Sequence, residues 1–97
     1  MIKHIVSFKL KGTESEKLSK AQEFKGALEA LPDKIDSLKS IEVGINCNPA
    51  ETWDVVLTAL VDDMEGLEHY ANHPLHLAAA AIIKDCKEDR ACVDYIV

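Results

Sequence analysis

Few aromatic rings, few glycines and no long apolar run mark this 97-residue chain. Two phenylalanines, two tyrosines and one tryptophan leave no set of stacking rings such as an RNA-reading sheet displays. Basic charge is also short. The formal charge is −6 and the isoelectric point is near 5.1. Lys3, Lys9, Lys11, Lys17, Lys20 and Lys25 are scattered among acids, so there is no basic patch and no nucleic-acid partner is expected. The three cysteines, Cys47, Cys86 and Cys92, are an odd set without CxxC spacing, which excludes a disulfide framework, a zinc ribbon and a thioredoxin motif. Reduced, packed thiols in a cytoplasmic protein are the expectation. Gly12, Gly26, Gly44 and Gly66 stand alone, so neither a phosphate-cradling loop nor a nucleophile elbow is present. The opening Met1–Phe8 lacks the apolar core of a signal peptide, and no later stretch is suited to crossing a bilayer, so no membrane partner is expected.

What remains is ordinary globular material, 47% hydrophobic and 29% charged, read as a single domain over 1–97. Ile2 to Leu10 alternates as a strand, with Ile2, His4, Val6, Phe8 and Leu10 on one face; His4 is the polar exception in that row. Thr13 to Leu31 turns helical, with Leu18, Ala21, Phe24, Leu28 and Leu31 at spacings of three and four, and Thr13 with Glu16 forms a capping box. Pro32 and Asp33 close that helix, and Ile35 and Leu38 pin the connection. Ile41–Ile45 is a second strand and Trp53–Val61 a third, joined through the turn-rich Asn46-Cys47-Asn48-Pro49. Asp62 or Asp63 caps a helix through about Tyr70, with Asp62 and Glu65 placed as a second capping box; Pro74 restarts the helix to about Asp85, and Arg90–Val97 is the last strand.

The order strand, helix, strand, strand, helix, strand predicts a ferredoxin-like α+β fold, an antiparallel βαββαβ sheet with its helices on one face. The third strand is apolar on both faces, with Val55, Leu57, Ala59 and Val61 opposite Val56 and Leu60. One layer of helices covers only one of them. Val56, Leu60 and Ile5 then need a second sheet over them, which predicts a homodimer.

The most telling string is Tyr70-Ala71-Asn72-His73-Pro74-Leu75-His76. Proline at the first position of a helix pushes the residue before it out of helical geometry, so His73 sits in a break as a capping residue and His76 one turn into the next helix. His69, His73 and His76 imitate a metal triad, but Pro74 breaks the helical register that would align the first two and no carboxylate or cysteine joins them. No metal or organic cofactor is expected.

Together with Lys3-His4-Ile5-Val6-Ser7-Phe8, Trp53-Asp54-Val55-Val56-Leu57 and Val93-Asp94-Tyr95, this string resembles the stress-responsive dimeric α/β-barrel family, the stress-response A/B barrel, over essentially all of the chain. The resemblance implies a ferredoxin-like protomer and a dimer whose two sheets form a barrel. Plant members of the family are polyketide cyclases that close a ring by aldol condensation without metal or organic cofactor. Their first-strand histidine corresponds to His4, the second histidine of their His-Pro-x-His string to His76, and the tyrosine before it to Tyr70. Two further residues of those enzymes differ here: Val55 stands for a third-strand histidine and Phe24 for a first-helix tyrosine.

The expected site therefore has His4 and His76 as an acid–base pair supported by Tyr70, with Val6, Phe8, Phe24, Val55, Leu57 and His73 as ligand-lining residues. Two functions fit it. One is a small-molecule-binding barrel protein with an apolar or aromatic carbonyl-bearing ligand. The other is a cofactor-free lyase or cyclase in which one imidazole takes a proton beside a carbonyl and the second donates one. A buried His4–His76 pair that simply satisfies its own hydrogen bonds is the structural alternative. Asp94 reads as a strand-end anchor, and Trp53 and Tyr95 as packing or dimer-rim residues.

Overall fold

The computed structural model describes all residues, 1–97. Its elements are β1 (Ile2–Leu10), α1 (Glu14–Glu29), β2 (Leu38–Ile45), β3 (Val55–Val61), α2 (Met64–Asn72), α3 (Pro74–Ala81) and β4 (Lys87–Ile96). The strands form one antiparallel sheet in the order β2-β3-β1-β4. This is the ferredoxin-like arrangement the element order predicts, with the second helical region split in two at Pro74.

β1 owes its central place to its alternation. His4, Val6, Phe8 and Leu10 are buried against the helices, while the residues between them are half-buried on the opposite face. Gly12 makes the turn into α1 at φ 125°, a left-handed conformation that favours glycine. The Thr13 capping box forms as read: the hydroxyl accepts from Glu16 N–H at 3.1 Å, and Glu16 Oε1 accepts from Thr13 N–H at 2.9 Å. The Thr13 N–H first, and the Thr13 side chain after it, hold the Glu16 carboxyl below the usual range. Ala21, Phe24 and Leu28 form the buried stripe of α1, and Leu31, Ile35 and Leu38 continue the core through the connection.

Several boundaries differ from the sequence reading, each for a local reason. β2 begins at Leu38, not Ile41, because Leu38 pairs with Val61 across a register shift that the alternation does not show. β3 begins at Val55, not Trp53. Asp54 turns its carboxylate onto Leu10 N–H at 2.7 Å, and the Lys9 ammonium stands 5.0 Å above the Trp53 ring. Asp63 alone caps α2, its carboxylate accepting from Gly66 N–H at 2.7 Å, so the Asp62–Glu65 capping box does not form. α3 stops at Ala81, short of Asp85, as bonds from Ile82 to Ala79, Lys84 to Ala81 and Cys86 to Ile83 tighten the chain into turns. β4 consequently starts at Lys87, three positions before Arg90.

Candidate functional site

The break at His73 positions the site. His73 ends α2 and caps α3, its Nδ1 accepting from Leu75 N–H at 3.1 Å. Pro74 then begins α3, and His76 comes to lie one turn inside it. His76 Nδ1–H donates to the Ala71 carbonyl at 2.9 Å, which leaves Nε2 with its lone pair free. Burial, opposed by that hydrogen bond and reinforced by the neighbouring His4 and Arg90 charges, holds the His76 imidazole below its ordinary value. His76 is therefore a neutral base near pH 7.

His4 reaches the same place from β1. Its Nδ1 lies 2.5 Å from Asp94 Oδ1, on the strand directly beside it, and 3.5 Å from Cys92 Sγ. A contact that short between ring nitrogen and carboxylate requires a proton between them. Asp94 thus fixes the tautomer and plane of the ring, again leaving Nε2 free. Cys92 Sγ is also 3.6 Å from Asp94. Burial first, then the Asp94 carboxylate, push the Cys92 thiol up, against the pull of Arg90.

His4, Cys92 and Asp94 offer one ligand atom each within 4.8 Å. Two ligands on a tetrahedral zinc ion, however, stand about 3.3 Å apart, and the His4–Asp94 contact is 2.5 Å. The triple fits a hydrogen-bonded cluster better than a metal sphere. The other histidines are occupied elsewhere: His69 Nδ1 is 2.7 Å from the Ser37 hydroxyl, and its ring lies 5.9 Å from that of His73.

Tyr70 completes the group. Its ring lies 4.5 Å from that of His76 and 6.3 Å from that of His4, centre to centre. The side chain is fully buried, yet its hydroxyl has no hydrogen-bond partner. Burial pushes that phenol up to about 12. A buried tyrosine hydroxyl normally finds a partner, so this one is an exception with a cost.

These side chains line one cavity of about 350 Å³ between sheet and helices. It gathers His4, Val6, Phe8, Phe24, Leu57, Tyr70 and His76 of the expected site residues. Val55 and His73 are not among its walls. Val55 is packed in the core between Phe8 and Ile45, its partners on either side, and the His73 ring is engaged with the α3 backbone. A wider depression of about 400 Å³ beside the start of α1 is lined by charges that already pair: Lys17 with Glu14 at 3.4 Å and with Asp54 at 3.5 Å.

The residues that sequence reasoning missed are the apolar Leu67, Ala71 and Ala80 of α2 and α3 and a group from β4 and the turn before it: Ile83, Lys87, Arg90, Cys92 and Asp94. Alternation held the signal. Ala91, Val93 and Tyr95 pair with Ser7, Ile5 and Lys3 on the face away from the helices, which turns Arg90, Cys92 and Asp94 toward them. A strand with its polar side toward the helices is lining something. Of the thiols expected to pack, Cys86 does, half-buried against the core, whereas Cys47 and Cys92 are exposed.

Strand order and helix cover thus define a ferredoxin-like α+β protein with a cavity beneath its helical layer. Residues 2–97 match the Stress Responsive A/B Barrel Domain, and the chain belongs to that family. It is similar to a crystallised dimeric protein of ferredoxin-like fold from Bacteroides fragilis, with 49% identity and a TM-score of 0.94 over 97% of this chain and 93% of that one. It is also similar to a dimeric ferredoxin-like protein from Thermobifida fusca, with 30% identity and a TM-score of 0.82 over 99% and 90%. An uncharacterised Streptomyces coelicolor protein is 30% identical over 89 residues, 88% of this chain and 89% of the relative. No helix here is long and apolar enough to cross a membrane.

Proposed function

We propose that this protein binds a small apolar, carbonyl-bearing molecule in the cavity bounded by His4, Tyr70 and His76. The observation that carries this reading is the Tyr70 hydroxyl, fully buried and unpartnered, on a side chain that lines the cavity. An orphaned buried donor costs about 1–3 kcal/mol; a ligand carbonyl oxygen would accept its proton and remove that cost. The remaining walls, Val6, Phe8, Phe24, Leu57 and Leu67 among them, suit an apolar or aromatic body.

The binding protomer is one half of a homodimer closed through the open sheet face. Ile5, Val56 and Leu60 there are joined by Val93 and Tyr95, and the similar Bacteroides and Thermobifida proteins are dimers. Light scattering at micromolar concentration should report about 21 kDa, twice the 10.7 kDa chain. A stable monomer there defeats the dimer. The unpaired cysteines suit a compartment that keeps thiols reduced, such as the cytoplasm.

A second reading, a cofactor-free lyase or cyclase, is favoured by the carboxylate-braced His4 and the neutral His76. His76 Nε2 would take the proton beside the carbonyl, and Tyr70 would donate to the enolate oxygen as charge develops there. The test is histidine and tyrosine NMR during titration with small aromatic ketones. Binding requires His76 and Tyr70 signals to move together and to stop responding in Tyr70→Phe. Catalysis requires, in addition, turnover that disappears in His76→Ala without loss of fold. Rings that ignore every ketone leave only a buried structural pair.

A further inference from the structure

Resting on that reading of the cavity, we infer that its ligand also carries a carboxylate, held by the Arg90 guanidinium at the cavity wall with Lys87 beside it. Arg90 is the only arginine in a chain with 17 acidic residues. Neither Arg90 nor Lys87 has a carboxylate within 4.0 Å; Lys17, Lys20, Lys25 and Lys39 do, and the other unpaired lysines, Lys3, Lys9, Lys11, Lys34 and Lys84, lie outside the cavity. Arg90 and Lys87 both line the same cavity as Tyr70 and His76. Arginine's planar fork suits two-point recognition of a carboxylate. Arg90 also lowers the proton affinity of His76 and of Cys92, so its charge is felt within the cavity and not only in solvent.

Charge and length narrow the ligand further. Lys87 and Arg90 against Asp94 leave one positive charge in excess before either imidazole takes a proton. One excess positive charge matches a monoanion, and Asp94 on the same strand face disfavours a phosphate dianion. Arg90 pairs with Phe8 and Asp94 with His4, so on β4 the guanidinium is anchored four strand positions from the His4–Asp94 pair, about 13 Å along the backbone. The inferred ligand class is an apolar oxo-acid: a ring or short chain with its carbonyl toward Tyr70 and its carboxylate toward Arg90.

The single arginine yields a single Nε–Hε resonance, which reads the site without an assignment problem. The dimer is titrated with 4-acetylbenzoate, acetophenone, benzoate and phenyl phosphate. The Arg90 resonance should shift with 4-acetylbenzoate and stay still with acetophenone, while Tyr70 and His76 signals move with both. The acid should bind roughly ten- to a hundredfold more tightly than the ketone, the range of a charged hydrogen-bond pair. Arg90→Gln should erase that preference without weakening acetophenone, and Lys87→Gln should reduce it less. If the preference survives Arg90→Gln, or the ketone binds as well as the acid, the carboxylate inference is overturned and the cavity reading stands. Tighter binding of phenyl phosphate overturns it in favour of a phosphoester. If no compound moves Tyr70, His76 or Arg90, both readings fall.

Discussion

The two edges of the sheet are built in opposite ways. At the β2 edge, α1 closes the strand off: Val43 N–H donates to Glu29 Oε2 at 3.1 Å, Lys25 Nζ donates to the Val43 carbonyl at 2.5 Å, and the two side chains meet at 2.9 Å. The Lys25 ammonium and the Val43 amide together hold the Glu29 carboxyl below its usual range. Val43 and Leu38 beneath are buried. At the β4 edge all ten residues are exposed in the protomer, and the side chains turned toward the helices include Arg90, Cys92 and Asp94. An exposed edge strand invites pairing, and proteins usually blunt it. Here one edge is blunted by a helix and serves stability, while the other is left open and supplies the polar half of the cavity.

The sharpest test of that division is a deletion on each side. Leu28→Ala, in the dry half under α1, should cost about 2–5 kcal/mol in urea unfolding, because Leu28 is fully buried. Cys92→Ala on β4 should stay within about 0.5 kcal/mol, as surface changes do. Equal losses would erase the distinction. Next comes Glu29→Ala, which uncovers Val43 N–H and should cost about 1 kcal/mol, with self-association beyond the dimer rising in sedimentation as the edge opens.

Tyr70→Phe should act in the opposite direction, stabilising the free protein by about 1 kcal/mol while abolishing the ketone response, since it removes an unpaired hydroxyl. The pH profile carries the same signature. Tyr70 titrates higher folded, at about 12, than the ordinary 10.0, so its contribution is present below pH 10 and is lost as pH rises toward 12. Phenolate absorbance that is lost in Tyr70→Phe should therefore appear only well above pH 10; its onset at the ordinary value would mean Tyr70 is not sealed.

The smallest effect belongs to His76. Its folded value lies below 6.5, so the stability it contributes is present above that pH and is lost as pH falls through the folded value. His76→Gln should flatten the acid limb of a thermal-melt series. An unchanged limb would assign it to the carboxylates.

Where the alternation was undiluted, in β1 and across Val55–Val61, strands were legible from residue type alone. They blurred where a register shift intervened, as between Leu38 and Ser40, and where an apolar run outlasted its helix, as at Ile82 and Ile83. His4, Tyr70 and His76 stood out because each breaks a local pattern. Asp94 did not. A carboxylate in a closing strand gains meaning only from the partner opposite it, and that pairing depends on a register interrupted between Lys9 and Leu10. Arg90 and Cys92 were missed with it, since no local rule says which side of an edge strand meets the helices.

The His4–Asp94 contact joins residues separated by 90 positions. Val97 N–H nevertheless donates to the Met1 carbonyl at 3.0 Å, so residues 1 and 97 meet at the end of the same antiparallel pair. A permuted chain that joins them through a short glycine-containing turn and opens at the exposed Asn48–Thr52 loop would turn the most sequence-distant pairing of the sheet into a hairpin. With less loop-closure entropy to overcome, the histidine and its carboxylate would come together early in folding rather than late. Stopped-flow refolding of such a permutant, faster than the parent at matched stability, would show that the site's arrival is limited by connectivity.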